Sequence, residues 1–547
     1  MNYPDKQTFP VLLENSFSKF GKLNAMAYAG EAPITYNELG NQVAAVITLL
    51  EKLDVKQGDK VAILSLNMPN WGITYFALAS MGVVAVPLLP DFLPSEIENI
   101  IAHSGAKAIF VSGSLYPKIV DLNIETIQVV ISLDDFSLIG EKRAGVVFDP
   151  EARPAIKYNV EEDDLSAIIY TSGTSGKSKG VMLSQKNICF TAIHAQTVQE
   201  FGTTDRFLSI LPLSHTYENT LGLVLPIFCG SCIYYLRKPP TPAVLLPALA
   251  EIRPTAVLSV PMVIEKIYRN KILPAFNEKP LIAKLYKTAF IRKQLNRIAG
   301  KKLMKTFGGE IKFFGIGGAK LDRTVEQFLL EAEFPYAIGY GLTESAPLLA
   351  GFNPKRPRLQ STGPKMDGVE LRINDPDKET GEGEIWAKGP NVMIGYFKEP
   401  GLTDEAITND GWLRTGDLGV FDNDGYLFIK GRLKNMILGS NGENIYPEEI
   451  ESVINNFNYV TESLVVQQKG KLVALVHFNR EEIETRFHHL KDEFSNYAER
   501  KTDELQKELQ EYVNARVNKF SRLQLVVAHA DPFQKTATQK IKRYLYK

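Results

Sequence analysis

The feature that most limits how this chain can fold is a regular exchange between two periodicities. Short β-rich runs (Lys60-Val61-Ala62-Ile63-Leu64-Ser65, Val83 to Pro87, Ala108-Ile109-Phe110-Val111, Val129-Val130-Ile131-Ser132) alternate with helical stretches near Trp71 to Ser80 and from Pro94-Ser95-Glu96-Ile97. Strands separated by helical crossovers belong to α/β architectures with mostly parallel sheets. No short internal repeat and no low-complexity tract breaks the series.

With 547 residues the chain exceeds one ordinary domain, and its texture divides it. After about residue 395 it becomes turn-rich and strand-like, punctuated by Asn409-Asp410-Gly411, Asp422-Asn423-Asp424-Gly425 and Gly431-Arg432-Leu433-Lys434. Pro447-Glu448-Glu449 then opens a helix, with proline in the first turn and acids at the positive end of the dipole. Leu464 to Gln467 and Leu472 to His477, joined through Lys469-Gly470, read as a hairpin, and charged helices run from Glu481 to Lys519. We expect a large domain over 1–433 and a small α+β domain over 434–547.

Composition excludes several roles. Lys+Arg total 62 against 63 Asp+Glu, so a nucleic-acid binder, which needs a cationic surplus, is not expected. Three cysteines are too few for a disulfide framework and suit a reducing compartment; Cys229 and Cys232, in an apolar C-x-x-C run, are packing residues or a redox pair. Met1 to Pro10 has no apolar stretch of signal-peptide length. The uncharged runs Gly72 to Pro90 and Asn219 to Leu236 are broken by Gly and Pro, and read as buried helix, turn and strand rather than bilayer spans. A cytoplasmic protein is expected. From Glu265 to Lys305, basic residues crowd between apolar ones at helical spacing: a solvated face, or a surface for a phosphorylated cofactor or for anionic lipid at the inner membrane.

Thr171-Ser172-Gly173-Thr174-Ser175-Gly176-Lys177-Ser178-Lys179-Gly180 follows the strand-like Ser166 to Tyr170 and contains only hydroxyl residues, glycines and lysines. Glycine lets backbone N–H groups approach an anion, hydroxyls donate further hydrogen bonds and lysine adds charge, so this is a polyphosphate loop. Thr171 stands where a Walker loop would need glycine. A second cluster, Gly315-Ile316-Gly317-Gly318-Ala319-Lys320, follows the strand-like Ile311 to Phe314 and fails the dinucleotide pattern at Lys320. In Gly339-Tyr340-Gly341-Leu342-Thr343-Glu344-Ser345 an aromatic, a hydroxyl and a carboxylate could serve a base, a phosphate and Mg²⁺.

These segments, together with Thr415-Gly416-Asp417, Gly431 to Lys434 and a late lysine, follow one order, and in it the chain resembles the adenylate-forming superfamily of acyl-CoA synthetases, nonribosomal adenylation domains and firefly luciferase over nearly its whole length. Asp410 through Lys434 is similar to the signature of fatty acyl-CoA synthetases, and Leu211-Pro212-Leu213-Ser214-His215-Thr216-Tyr217-Glu218 to their aromatic/histidine motif.

The resemblance implies layered α/β subdomains, a small β-barrel-like part and a mobile C-terminal lid. It implies two half-reactions: a carboxylate attacks the α-phosphate of ATP to give acyl-AMP and pyrophosphate, then the thiol of coenzyme A takes the acyl group and releases AMP. Thr171, Ser172, Gly173, Thr174, Ser175, Gly176 and Lys177 would hold the β- and γ-phosphates. Thr343 would contact the α-phosphate, and Glu344 with Thr171 would hold Mg²⁺. Tyr340 and Gly341 would line the adenine beside Gly317, Gly318 and Ala319. Asp417 would bind the ribose hydroxyls, or else cap a turn. Arg432 would contact ribose or phosphate, and His215 the acyl carboxylate, where an isolated histidine would be a core residue. Lys540 matches the adenylation lysine, although Gln534 and Gln539 stand where the family more often has Pro and Gly, which leaves Lys535 and Lys542 as alternatives. The lid would turn about Lys434 and present Gly439 and Gly442 to coenzyme A. The expected substrate is a medium- or long-chain fatty acid. The alternatives are an acyl-acyl-carrier-protein synthetase or fatty acyl-AMP ligase, with a carrier protein as possible acceptor, and an inactive adenylate-binding scaffold.

Overall fold

Two eight-stranded sheets, parallel at their centres and antiparallel only at their edges, organise the large N-terminal part. The computed structural model describes residues 4–122, 124–140, 146–154, 157–172, 178–277, 280–438, 443–479, 483, 497–536 and 540–546. One sheet runs Gly395–Tyr396, Ser178–Ser184, Leu165–Ser172, Val84–Leu88, Lys60–Leu64, Ala108–Val111, Val129–Ser132, Leu138–Ile139. The other runs Ala350–Gly351, Tyr336–Tyr340, Phe313–Ile316, Ala256–Ser259, Arg206–Leu208, Cys232–Tyr235, Asn24–Tyr28, Ile34–Thr35. Their central strands are β-branched and buried, as strands covered on both faces must be.

Proline sets the start of several crossover helices. Pro69–Ser80 and Pro94–Ser104 each carry it in the first turn, where its missing N–H costs no hydrogen bond. The first of these helices is buried almost all round and is anchored by aromatic packing: Trp71 stacks on Tyr75 at 5.3 Å, and Phe9 meets Tyr75 edge-on at 5.6 Å. Both uncharged runs become buried helix and strand, and no helix among the described residues is long and apolar enough to cross a membrane. Cys229 and Cys232 are buried and unbridged. Burial pushes both thiols up, Cys232 to about 11, so neither is a ready thiolate.

A four-stranded antiparallel sheet, Glu370–Asn374, Gly383–Lys388, Leu413–Phe421 and Leu427–Arg432, forms the small β part. It begins at Glu370, well before the change in texture at about residue 395, and Gly383–Lys388 alternates buried and half-buried positions as a one-sided strand should. The glycine cluster also starts differently: the strand is Phe313–Ile316, two residues beyond the expected one, so Gly315 lies inside it.

After Leu433–Asn435 comes the smaller part. Helix Pro447–Ile454 starts at its proline, and Val460–Gln468 and Lys471–Phe478 pair antiparallel. Their turn residues, Lys469 and Gly470, both take positive φ (49° and 75°), the left-handed pair that a two-residue hairpin loop needs. Leu525–Ala528 adds in parallel, and Tyr497–Asn514 covers the sheet. Of the expected charged segment, residues 481–482 and 484–496 lie outside the described residues.

Candidate active site

The sequence motifs meet where strands of both large sheets end. Strand Tyr336–Tyr340 delivers Tyr340, and the chain then turns at Gly341. A Cβ at Gly341 would lie 1.6 Å from the Pro347 carbonyl oxygen, so this turn admits no side chain. Thr343–Ser345 form one 3-10 turn that packs against strand Ser178–Ser184. Edge strand Gly395–Tyr396 fastens the turn from the other side: Tyr396 Oη donates to Glu344 Oε1 at 2.8 Å, and Met393 N–H donates to the Glu344 carbonyl at 2.9 Å. Lys179 lies 4.9 Å over the Tyr396 ring. Tyr396 went unrecognised in the sequence because it lies over fifty residues from Glu344, in a segment whose only local signal is Gly-Tyr-Phe.

Asp417 is buried, in register opposite Arg432 on the antiparallel sheet. Arg432 Nε lies 2.6 Å from Oδ1, and Tyr340 Oη donates to Oδ2 at 2.8 Å. Burial raises the Asp417 carboxyl above the ordinary range, against the opposing pull of Arg432, Tyr340 and Lys540. Each carboxylate oxygen keeps a second lone pair for a ligand hydroxyl. Gly318 (φ 85°), Ala319 and Lys320 form an exposed shelf beyond Gly317, where a Cβ would lie 3.2 Å from the Tyr217 ring.

His215 caps the short helix Thr216–Glu218, its Nδ1 accepting from Tyr217 N–H at 3.3 Å, which leaves the proton on Nε2. Burial, then the positive charge of Lys540, lowers its pKa to about 4, so the ring is neutral at physiological pH. Lys540 is held by a narrow loop in which Thr536 N–H donates to the Lys540 carbonyl at 2.8 Å and Lys535 bridges Ile541. Lys540 as a residue keeps solvent access, while the charged end of its side chain is closely surrounded by protein. Desolvation, then Arg432, lowers its pKa, while Asp417 and Glu344 pull the other way. Lys535 points elsewhere, paired with Glu462. Lys320 with Glu449 (3.2 Å) and Arg269 with Asn456 (3.2 Å), the latter also bonded to Asp322, dock the C-terminal part in this position.

Thr171 is the penultimate residue of strand Leu165–Ser172, opposite Lys179. Gly173, Thr174, Ser175, Gly176, Lys177, Gly439, Gly442 and Gln539 lie outside the described residues, as does the side chain of Ser172. Among the described residues no three His, Cys, Asp or Glu side chains converge on a metal site. Mg²⁺ needs no such cage: it takes one or two carboxylates and completes its shell with phosphate oxygens and water, and Glu344 with the Thr171 hydroxyl is a donor set of that kind.

An apolar cavity opens between these motifs, with an empty volume, mouth included, of about 470 Å³. Tyr217, Gly315 and Gly339 line it on the motif side; Phe201, Phe207 and Phe352 line it elsewhere.

A family model described as AMP-binding enzyme matches residues 13–397. The chain belongs to that family. It is an adenylate-forming ligase, whose family substrates are ATP, a carboxylic acid and coenzyme A. Among curated relatives, long-chain-fatty-acid–CoA ligase heimdall of Drosophila melanogaster is 27% identical over 497 residues, covering 82% of this chain and 72% of its own. Long-chain-fatty-acid–CoA ligase FadD15 of Mycobacterium bovis is 28% identical, with 82% and 78% covered. Of solved structures, O-succinylbenzoate coenzyme A synthetase from Bacillus subtilis in complex with AMP superposes with a TM-score of 0.76 at 23% identity, covering 98% of each chain. The same enzyme with ATP and a magnesium ion gives 0.75 at 23%, covering 97% and 98%.

Proposed function

We propose that this protein joins a medium- or long-chain fatty acid to coenzyme A through acyl-AMP, releasing AMP and pyrophosphate. The observation that carries the acyl part is the cavity: its walls are aliphatic and aromatic, and it reaches the main chain of Gly315 and Gly339 and the ring of Tyr217, each one or two residues from a group assigned to the nucleotide or the carboxylate. Curated relatives named as long-chain ligases support the same reading.

In this scheme Thr171 and the loop after it bind the β- and γ-phosphates, and Glu344 and Thr171 hold Mg²⁺, which when bound offsets phosphate charge. Asp417 receives the ribose hydroxyls and Tyr340 flanks the adenine. Thr343 contacts the α-phosphate, and Lys540 brings a point charge between the fatty carboxylate and that phosphate, whose mutual repulsion is the main obstacle to attack. Neutral His215 adds no charge of its own and can donate from Nε2 to the carboxylate. The domain boundary falls at 433/434, and Lys434 is the hinge about which residues 434–547 turn to withdraw Lys540 and admit the thiol.

A ladder of fatty acids with ATP and Mg²⁺, offered coenzyme A or an acyl carrier protein, tests this. Thioester on coenzyme A with stoichiometric AMP, rising with chain length, is expected. Exclusive acylation of carrier protein, or pyrophosphate release only with short or aromatic acids, refutes it.

A further inference from the structure

Between strands Ala256–Ser259 and Phe313–Ile316 the chain leaves the sheet as a series of helices that ends in Pro280–Tyr286 and Ala289–Thr306. Residues 265–305 carry twelve Lys and Arg against two Glu. The inner side of the last helix is committed to the fold. Asn296, Gly300 and Leu303 are buried, and a Cβ at Gly300 would lie 2.4 Å from the Ala332 carbonyl oxygen. Arg292 and Arg297 are also committed, to Glu331 (2.7 Å) and Glu333 (2.5 Å).

The outer side is different. Phe290, Gln294, Ile298, Lys301 and Lys305 recur three or four residues apart, so they share one face of the helix. Phe290 is 74% exposed and Ile298 56%. The preceding helix repeats the pattern with Leu281 (69% exposed), Lys284 and Leu285. None of the exposed lysines on these two helices has a carboxylate partner among the described residues.

We infer that this helical face docks the protein on an anionic phospholipid surface. Single exposed apolar side chains are ordinary; here they stand at helical spacing among unpaired lysines, the pattern of a helix lying in a bilayer interface. Phe290, Ile298 and Leu281 enter the acyl boundary while the lysine ammonium groups stay at the headgroup phosphates. A nucleic acid or an acidic protein would satisfy the lysines but leave those apolar tips without a role. The position also fits the chemistry: Leu303 on the inner side belongs to the same apolar cluster as Ile338 and Phe352, which line the cavity. The docking face and the cavity are thus two sides of one packed layer. This inference stands apart from the acyl-CoA reading, because vesicle binding is measured without turnover.

The test is co-sedimentation of the full chain with vesicles of phosphatidylglycerol and phosphatidylcholine, or of phosphatidylcholine alone, at low and high salt. Binding to the anionic vesicles, weakened by salt, is expected. Lys301→Glu/Lys305→Glu should lower it at least about tenfold. Phe290→Ser/Ile298→Ser should weaken it at every salt concentration while leaving the melting temperature unchanged. Absence of binding to anionic vesicles overturns the proposal, as does binding that both variants retain. Capture of an acidic carrier protein through these lysines, without vesicle binding, overturns it equally.

Discussion

Glu218 offers a quantitative test of the packing around the His215 motif. Its side chain is buried and Oε1 accepts from Ser209 Oγ at 2.6 Å, while Oε2 has no partner. Burial lifts its pKa from 4.5 to about 8, so the folded protein holds the proton near neutrality while the unfolded chain has lost it. The stabilising effect of that retained proton is complete below pH ~4.5 and is lost as pH rises through about 8. At 1.36 kcal/mol per pKa unit, wild type should lose about 3 kcal/mol between pH ~5.5 and ~8.5 through this group alone. Glu218→Gln keeps the acceptor for Ser209 and cannot ionise, so it should match wild type within about 1 kcal/mol at the acid end and exceed it at the alkaline end. The assay is thermal or urea unfolding of both proteins across that range, taking their difference so that other titrating groups cancel. A difference that does not change with pH, or a variant that falls behind wild type as pH rises, refutes the reasoning.

Lys540→Ala should slow acyl-AMP formation by about 10²–10³, the scale of losing one charge-stabilising group, while supplied acyl-AMP still becomes thioester; equal loss of both steps, followed by pyrophosphate and thioester release, would contradict the assignment. Tyr396→Phe removes the hydroxyl that orients Glu344 and should raise the Mg²⁺ concentration needed for half-maximal rate about tenfold in an Mg²⁺ titration of activity, the scale of losing one hydrogen bond to a charged group, worth about 1.5–3 kcal/mol. Gly341→Ala forces a Cβ onto the Pro347 carbonyl and should lower stability by at least about 1–3 kcal/mol, read by denaturant unfolding, and abolish nucleotide binding.

The parallel sheets could be read from the sequence because buried strands and proline-opened helices are local patterns: Lys60–Leu64, Pro69–Ser80 and Val84–Leu88 can be read in windows of about ten residues. The Lys469-Gly470 hairpin was legible for the same reason, since its turn chemistry is contained in two residues. What could not be read was long-range pairing. Tyr396 reaches Glu344 only because Gly395–Tyr396 joins the edge of a sheet built some two hundred residues earlier. The cavity draws its lining from segments between Ala195 and Phe352, and no short window holds the pattern. The position of Lys540 beside Arg432 and Asp417 is likewise a property of how two parts dock.

That docking has a mechanical consequence. Among the described residues the polar contacts across that docking include Lys320 with Glu449, Tyr446 with Glu382 (2.7 Å) and the Asn456 side chain between Arg269 and Asp322. The half-exposed Lys320–Glu449 pair is worth about 0–1 kcal/mol. For the two-step reaction proposed above, such an interface would be a catch rather than a weld: released within a turnover, it would let the adenylate pass to the thiol instead of trapping it beneath its own lysine. A broad apolar seam at the same place would turn the catalyst into a storage vessel for its intermediate, and raised salt, by loosening the catch, should tilt the partition between the two half-reactions.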